Sequence, residues 1–260
     1  MKHTDLNLEN HKKKILITGA SSGLGKILSI YFNKKFKSVI CVGGTAKKIK
    51  QLKNSLKNKD NFFFHGDLTN SAKQKKLMLF LKKHNDINAV IHCLGGGFGL
   101  KNELLSKKDL LKLITINLIN QSEINNLVIK NMVKKKISGK IIHVSGIAGL
   151  ESIASTGYSV SKAALIAYSK SLSKSFLKKN IFIKTIILGA FETKDNSFSR
   201  LKNKNLKAYK FYRDNKLIRK KYAIADEIIP LFDFLISQKS NIISGSDVVA
   251  DFSQSNSFRI

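Results

Sequence analysis

The sequence has little cysteine, little arginine and no long apolar run, and each shortage excludes or disfavours a class of protein. Its two cysteines, Cys41 and Cys93, are too few for a disulfide framework and lack the spacing of a metal site. No apolar run is long enough to cross a bilayer, and residues 1–14 are too polar for a signal peptide. We therefore expect a cytoplasmic protein with no membrane insertion, no metal and both cysteines in the core.

Arginine is scarce although the chain is strongly basic, with 47 basic residues against 17 acidic ones and a net charge of +30. The four arginines are Arg200, Arg213, Arg219 and Arg259. Base reading and bidentate phosphate recognition favour arginine, whereas here lysines are spread over the solvated faces of almost every predicted helix. We expect no specific nucleic-acid partner, although a polyanion would bind non-specifically at low salt. A nucleic-acid binder stays open as an alternative that depends on charge alone.

Short apolar runs alternate with segments of helical periodicity along most of the chain. The predicted strands are 14–18, 39–42, 62–65, 89–93, 140–144, 181–188 and 247–250. The predicted helices are 25–35, 46–56, 71–83, 106–135, 158–179 and 226–237. Continuously apolar strands alternating with helices predict a doubly wound parallel sheet. We expect a polar extension at 1–13 and one domain over 14–260, in which the basic, aromatic segment 190–222 breaks the pattern.

A glycine-rich loop follows the first predicted strand directly. It reads Thr18-Gly19-Ala20-Ser21-Ser22-Gly23-Leu24-Gly25. Glycines allow a tight turn and close approach of the backbone to a pyrophosphate. The next helix should begin near Gly25, so its first amides would point at the anion. This strand–turn–helix context predicts a nucleotide site.

No acidic residue lies between Glu9 and Asp60, where an NAD site places a carboxylate for the ribose hydroxyls. The second strand instead ends in a stretch that reads Gly43-Gly44-Thr45-Ala46-Lys47-Lys48. A missing carboxylate beside lysines favours NADP(H) over NAD(H). The alternative is that these lysines belong to the general excess of lysine.

Tyr158 and Lys162 are spaced by four residues at the start of a predicted helix and so share one face. A nearby ammonium favours phenolate, so we expect Lys162 to lower the pKa of Tyr158 and make it a general acid/base. In a lysine-rich chain this pair alone would be read as two surface residues.

Together these motifs resemble the short-chain dehydrogenases/reductases in their single-domain form, from about residue 14 to 251. The loop Thr18–Gly25 is similar to their Thr-Gly-x-x-x-Gly-x-Gly, and Tyr158 with Lys162 to their Tyr-x-x-x-Lys. Ser145 falls thirteen residues before the tyrosine, where the family has its serine. The other matches are Asn117, Asp67-Leu68, Leu188-Gly189 with Thr193, and Ser244-Gly245 with Asp251.

Four positions depart from the family pattern. His92-Cys93-Leu94-Gly95 replaces the family's Asn-Asn-Ala-Gly, Leu188 replaces a proline and Phe252-Ser253 replaces a closing glycine pair. Gly44 stands where NADP-using members commonly carry arginine, which weighs against NADP.

The resemblance implies a Rossmann-type, three-layer α/β/α sandwich and an NAD(P)(H)-dependent oxidoreductase that interconverts a ketone or aldehyde and an alcohol. It implies that Tyr158 is the general acid/base and that Ser145 donates a hydrogen bond to the substrate oxygen. It also implies that Lys162 lowers the pKa of the tyrosine and holds the nicotinamide ribose, and that Asn117 holds a water molecule. The implied cofactor contacts are Gly19, Ser21, Ser22, Gly23, Leu24, Gly25, Gly44, Thr45, Asp67, Leu68, Gly95, Tyr158, Lys162, Gly189 and Thr193.

The family also implies partners. Its members commonly form homotetramers or homodimers through the two long helices, here 106–135 and 158–179. Segment 190–222 would be the substrate lid, and its basic and aromatic residues favour a substrate with an anionic part. Such a substrate could be a carrier- or nucleotide-linked sugar, or an acyl chain on an acidic carrier, as in the family's 3-oxoacyl-carrier reductases. The alternatives are a solvated lid without an anionic ligand, and a cofactor-binding regulatory or scaffold protein without turnover. The intact set Asn117, Ser145, Tyr158 and Lys162 favours an enzyme.

Overall fold

The structure, a computed structural model, describes residues 12–58 and 60–258; the predicted extension up to residue 11 and Arg259 lie outside this part. Seven parallel strands form one sheet in the order β3-β2-β1-β4-β5-β6-β7. They are β1 Lys14–Thr18, β2 Ser38–Gly43, β3 Phe62–His65, β4 Ile87–His92, β5 Gly139–Gly146, β6 Ile181–Leu188 and β7 Asp247–Ala250.

Helices connect the strands and cover both faces of the sheet. They are α1 Gly23–Asn33, α2 Ala46–Ser55, α3 Ser71–Lys82, α4 Lys107–Ile114, α5 Asn120–Lys134, α6 Thr156–Phe176, α7 Ser197–Lys204, α8 Leu206–Lys216 and α9 Ala225–Ile236. A π-helical turn Thr115–Ile119 joins α4 to α5, and short 3₁₀ turns span Ile147–Gly149, Leu177–Lys179 and Gln238–Ile243.

Burial on both faces explains why these strands are continuous apolar runs. One face packs against α1 and α9, with Phe32 and Phe232 in its core. The other face packs against α3 and α5, with Leu77 and Ile124 in its core. The predicted Rossmann-type, three-layer α/β/α fold is confirmed.

The strand order reverses between β1 and β4, so the connections from these two strands run to opposite sides of the sheet. Ligands of open α/β sheets bind in the crevice at this point, beyond the carboxyl ends of the strands. Both the glycine-rich loop and the segment after His92 begin there. Among the described residues no helix is long and apolar enough to span a bilayer, and no group of three or more His, Cys, Asp or Glu could hold a metal ion.

Two predicted elements differ from those observed. The predicted helix 106–135 is divided by the π-helical turn around Asn117, whose side-chain amide donates to Leu113 O at 2.9 Å. Segment 190–222 contains α7 and α8 although its periodicity is weak. Both helices are short and begin at asparagines, because the side chains of Asn196 and Asn205 accept from the backbone N–H groups of Ser199 and Ala208.

Candidate active site

The glycine-rich loop packs so closely that side chains are excluded at two of its positions. Gly19 has a φ of +68°, and a Cβ there would lie 2.7 Å from the carbonyl carbon of Cys93. A Cβ on Gly25 would lie 2.3 Å from Gly19 O. The N–H of Ala20 donates to Val42 O at 2.9 Å and ties the loop to β2. The loop is thereby held against both neighbouring strands with its backbone exposed to a ligand.

The first turn of α1 has the polar groups that a phosphate would need. The helix begins at Gly23, two residues before the predicted start, and the side chain of its N-cap, Ser22, makes no capping hydrogen bond. The buried hydroxyl of Thr193 has no hydrogen-bond partner in the structure and lies 3.6 Å from where a Gly23 Cβ would be. Unpaired helix amides beside an unpartnered buried hydroxyl fit the pyrophosphate of a dinucleotide.

Just after β2 and β3 lie three further residues that the resemblance assigned to the cofactor, namely Gly44, Thr45 and Asp67. Gly44 is exposed, its N–H donates to Ser21 Oγ at 3.2 Å, and nothing lies within 4 Å of a Cβ built there. Thr45 caps α2, since its hydroxyl accepts from the N–H of Lys48. The Asp67 carboxylate accepts from the Thr69 backbone and hydroxyl, hydrogen bonds that lower its pKa.

Two other assigned residues are held by different neighbours. The carbonyl of Leu68 accepts from Asn120 on α5 at 2.8 Å, which fixes the backbone after β3. Gly189 packs against the carboxyl-terminal segment, because a Cβ there would lie 2.7 Å from Asp251 Cβ and 2.9 Å from Gln254 Oε1. Gly189 therefore faces that segment, and its role as a cofactor contact has no support from these neighbours.

The glycine run after β4 brings three predicted catalytic side chains together. A Cβ on Gly95 would lie 2.6 Å from Asn117 Oδ1 and 3.2 Å from Lys162 Nζ, and one on Gly97 would lie 3.8 Å from the Tyr158 ring. The amide of Asn117 accepts from the N–H of Gly96 at 3.0 Å and donates to its carbonyl at 3.1 Å. Glycine is needed at Gly95 because any side chain would displace Asn117 or Lys162.

Ser145 joins this group from the end of β5. Its hydroxyl donates to the backbone carbonyl of Lys162 at 3.3 Å, and Lys162 Nζ donates to Val144 O at 3.0 Å. These two hydrogen bonds connect β5 to α6 in opposite directions. The structure thus places all four predicted catalytic residues around the carboxyl ends of β4 and β5.

The predicted lowering of the Tyr158 pKa is wrong for this arrangement. Burial raises the pKa of Tyr158 to about 12 and lowers that of Lys162 to about 8. The ammonium lies 5.7 Å from the centre of the tyrosine ring and donates to Val144 O. Spacing along the helix brought the pair to one face, but burial is what shifts the pKa of Tyr158, and it also makes the largest contribution to the shift of Lys162.

A buried hydrogen-bonded chain behind the site was missed by sequence reasoning. Thr18 Oγ1 lies 3.3 Å from His92 Nδ1, and His92 Nε2 lies 2.9 Å from Asn125 Oδ1. Asn125 Nδ2 lies 2.9 Å from His143 Nε2, and His143 Nδ1 lies 3.0 Å from Ser169 Oγ. An amide nitrogen can only donate, so His143 accepts through Nε2 and donates through Nδ1.

The two histidines of this hydrogen-bonded chain are neutral, and every hydrogen bond in it is donated in the same direction, from Thr18 towards Ser169. Burial lowers the pKa of His92 to about 4, and burial with the nearby His92 and Lys162 lowers that of His143. Thr18 Oγ1 also accepts from Leu94 N at 3.3 Å, so the chain connects the loop after β4 to α6. No spacing signals it, because strand register alone aligns Thr18, His92 and His143.

Replacing Asn125 with leucine is expected to lower the free energy of unfolding by about 2–5 kcal/mol. The change leaves two buried imidazole nitrogens unpaired, at about 1–3 kcal/mol each. Urea unfolding would measure the loss. Asn126→Leu is the matched control, because Asn126 is exposed on the same helix and a change within about 0.5 kcal/mol is expected there. Equal losses of unfolding free energy in the two variants would show that the hydrogen-bonded chain does not contribute to stability.

Comparison with known proteins agrees with this geometry, which is that of an oxidoreductase using a nicotinamide dinucleotide. Residues 13–204 match the short chain dehydrogenase family. A 3-oxoacyl-(acyl-carrier-protein) reductase of Buchnera aphidicola subsp. Schizaphis graminum is 32% identical over 91% of this chain and 95% of its own. The corresponding reductase of Rickettsia prowazekii is 29% identical over 90% and 92%.

The solved structures agree on the fold. L-sorbose reductase from Gluconobacter frateurii, complexed with NADPH and L-sorbose, superimposes with a TM-score of 0.85 at 20% identity, covering 98% of this chain and 100% of the other. The chain belongs to the short-chain dehydrogenase family, and it is an NAD(P)-dependent oxidoreductase acting on CH–OH or keto groups.

Proposed function

We propose that the chain interconverts a ketone and an alcohol with Tyr158 as general acid/base and Ser145, Lys162 and Asn117 as its partners. The observation that carries this assignment is the convergence of Asn117, Lys162 and Tyr158 on the glycine run 95–97, with Ser145 bonded to the backbone of Lys162. A bound nicotinamide supplies the hydride in reduction and takes it up in oxidation.

The side chains then have distinct tasks. In reduction the Tyr158 hydroxyl donates its proton to the developing alkoxide, and a pKa near 12 keeps that proton in place until the alkoxide forms. The Ser145 hydroxyl holds the same oxygen once it turns from the carbonyl of Lys162. Lys162 has a pKa near 8 and can exchange protons near neutral pH. Asn117 fixes the glycine run through both of its hydrogen bonds to Gly96.

The dinucleotide would lie across the switch point. Its pyrophosphate fits the loop from Gly19 to Gly25 with the hydroxyl of Thr193, and its adenosine fits the ends of β2 and β3 near Gly44 and Asp67. We assign NADP(H) as the preferred cofactor because the residues after β2 include Lys47 and Lys48 and no carboxylate. Lys48 forms an exposed ion pair with Asp195 at 3.3 Å, a weak interaction that a 2′-phosphate can replace.

The protein is expected to bind NADPH more tightly than NADH, and replacing Lys47 and Lys48 with alanine should narrow the difference. Each lysine that contacts the 2′-phosphate contributes one charge-assisted hydrogen bond. A contribution of about 1.4 kcal/mol per contact corresponds to about tenfold in affinity. Fluorescence titration at fixed salt measures both dissociation constants. Lys50→Ala on the same helix is the control for each single substitution, Lys47→Ala and Lys48→Ala, because it removes the same single charge. Equal affinities for the two cofactors in the unaltered protein would contradict the assignment.

We further propose a substrate with an anionic part, and specifically a 3-oxoacyl chain on an acidic carrier protein. The support is the similarity to two carrier-protein reductases over almost the whole chain. The three arginines of segment 190–222 support an anionic substrate less than their clustering in the sequence implied, because each already has a partner. Arg213 pairs with Asp214, Arg219 pairs with Glu227, and Arg200 donates to a backbone carbonyl. Exposed lysines after α5, at 134–136, are a better surface for the carrier.

Oxidation of NADPH by acetoacetyl groups tests both the reaction and the substrate. The same acyl group is offered on an acyl carrier protein and on free pantetheine, and consumption of NADPH at 340 nm is followed. A carrier-binding surface predicts a lower KM for the carrier form, which Lys134→Glu should raise while leaving the pantetheine form unchanged. Turnover of a neutral ketone but of neither acetoacetyl substrate would support the oxidoreductase activity and contradict the carrier-protein substrate. Binding of cofactor without turnover of any carbonyl would instead favour a regulatory or scaffold protein.

We propose that residues 14–260 form one domain, in which 190–222 is the substrate lid. The protein is proposed to lie in the cytoplasm and to form a homodimer or homotetramer through α4, α5 and α6. Large apolar side chains exposed on these helices, or on the π-helical turn that joins α4 to α5, are Leu110, Leu111, Ile119 and Val160. Both cysteines are free thiols, consistent with a reducing compartment. Light scattering at micromolar concentration should give a multiple of 29.1 kDa, and Leu111→Glu should lower it. A monomer in the unaltered protein would exclude the proposed assembly.

A further inference from the structure

A small cavity opens at the amino-terminal edge of the sheet, on the far side from the glycine-rich loop. Its volume is about 170 Å³. The polar residues that line it are Lys13, Asn88, Ser138, Lys140, Ser237 and Gln238. Apolar side chains from Phe36, Ile137 and Ile236 complete the wall. Among the residues that the structure describes, the charged side chains lining the cavity are the lysines Lys13 and Lys140.

One lysine that lines the cavity, Lys140, is buried, and a second buried lysine, Lys184, is its neighbour on the next strand. Lys140 pairs in register with Phe182, and Ile142 pairs with Lys184, so both lysines lie on the same face of adjacent strands as diagonal neighbours. Lys140 is only 7% exposed and Lys184 is fully buried. Buried ammonium groups are ordinarily paired with a carboxylate. Within residues 12–58 and 60–258, the ion pairs involve other lysines and arginines and neither Lys140 nor Lys184.

The partners that these ammonium groups do have are neutral. Lys140 Nζ donates to the side-chain carbonyl of Asn241 and lies 3.9 Å from the centre of the Phe182 ring. Lys184 Nζ donates to Leu235 O, near the end of α9, at 3.3 Å. An ammonium group has three donors, so each retains donors beyond the partner named here.

This arrangement lowers the pKa of both groups. Burial, followed by repulsion from Lys184 and Lys13, lowers the pKa of Lys140 to about 7. Burial alone lowers the pKa of Lys184 to about 8. None of the carboxylates in the described part of the chain contributes to either shift. An anion in the cavity would offset both burial and repulsion, because it would supply the missing opposite charge.

We propose that this cavity binds a phosphate-type oxyanion, with Lys140 as its principal ligand and the hydroxyl of Ser138 beside it. The volume suits one tetrahedral oxyanion, either free phosphate or the terminal group of a small phosphate monoester. The site is separate from the cofactor site, since the amino ends of β4 and β5 lie at the opposite edge of the sheet from Gly19 and Gly25.

Thermal unfolding of the NADPH-saturated protein tests the site, because bound cofactor already fills the glycine-rich loop. Phosphate, compared with chloride at equal ionic strength, should raise Tm saturably, by roughly 3–5 °C at tenfold excess over Kd. Lys140→Met should abolish the rise, whereas Lys130→Met, which removes an exposed charge, should keep it. Methyl phosphate as a second ligand distinguishes the two ligands that could supply the oxyanion. A rise in Tm equal to that with phosphate indicates that the site takes the terminal group of a monoester, and no rise indicates that it takes free phosphate.

A second measurement needs no variant that might fail to fold. Sulfate keeps its charge from pH 6 to pH 9, so its stabilisation of the unaltered holoenzyme should shrink over that range as Lys140 and Lys184 lose their protons. Stabilisation by sulfate that stays constant to pH 9 would point to ordinary surface lysines and overturn the proposal. An equal phosphate response in Lys140→Met would overturn it as well.

Discussion

Replacing Tyr158 with phenylalanine is expected to reduce turnover by about 10²–10⁴-fold while leaving the dissociation constant of the cofactor within about twofold. The substitution removes one hydroxyl and keeps the ring against which Gly97 packs. Lys162 retains its hydrogen bond to Val144 O, so the glycine run around it should not move. Stopped-flow reduction of a confirmed substrate would measure the chemical step, and fluorescence titration the cofactor affinity.

Tyr168→Phe provides the matched control for this prediction. Tyr168 lies on the same helix, α6, and its hydroxyl accepts one long hydrogen bond from Asn125 at 3.3 Å. Loss of that hydroxyl should change turnover by no more than about twofold, since a neutral hydrogen bond contributes about 1 kcal/mol or less to stability and none of it is at the reacting atoms. Full activity in Tyr158→Phe would remove Tyr158 from the mechanism and leave the fold and family assignment intact.

Replacing Gly25 with alanine is expected to have the second large effect. The new Cβ would lie 2.3 Å from Gly19 O and 2.7 Å from Gly19 C, and both atoms belong to the backbone of the phosphate loop. No side-chain movement can relieve such a contact, so either the loop or the start of α1 must shift. Overpacking of this kind costs about 1–3 kcal/mol of stability. The displaced loop should weaken cofactor binding by about tenfold or more.

Gly66→Ala is the control for the Gly25 substitution. A Cβ on Gly66 would meet the Lys73 side chain at 3.3 Å, and a flexible lysine stem can move away. Urea unfolding and cofactor titration are compared for both variants. Cofactor affinity that is unchanged in Gly25→Ala would show that the dinucleotide does not contact this loop.

The residues that sequence reasoning located well are those whose chemistry is local. The loop Thr18–Gly25 follows a strand immediately, and its glycines are needed for backbone contacts within a few residues or with the adjacent strand. Tyr158 and Lys162 share a helix face through spacing alone. Continuous apolar strands between amphipathic helices likewise determined the doubly wound sheet, because only burial on both faces suits such strands.

The effect of Lys162 on Tyr158 could not be predicted in this way. Spacing placed the two groups on one face, but the sign of the pKa shift depends on burial by elements far along the chain. The lid arginines show the same limit. Their clustering in the sequence indicated an anionic ligand, whereas the fold pairs Arg219 with Glu227 on α9 and turns Arg213 to its neighbour Asp214.

The sequence by itself determined the sheet, the glycine-rich loop and the shared helix face of Tyr158 and Lys162, since each depends on periodicity or on spacing within one turn or loop. The assignment of Ser145 and Asn117 to the site depended on the family resemblance. Only the tertiary structure decided the contacts that join distant strands. Register across β1, β4 and β5 assembled the chain of His92, Asn125 and His143, and register between β5 and β6 brought Lys140 beside Lys184. These groups lie far apart in the sequence, and their hydrogen bonds and repulsion arise only when parallel strands align.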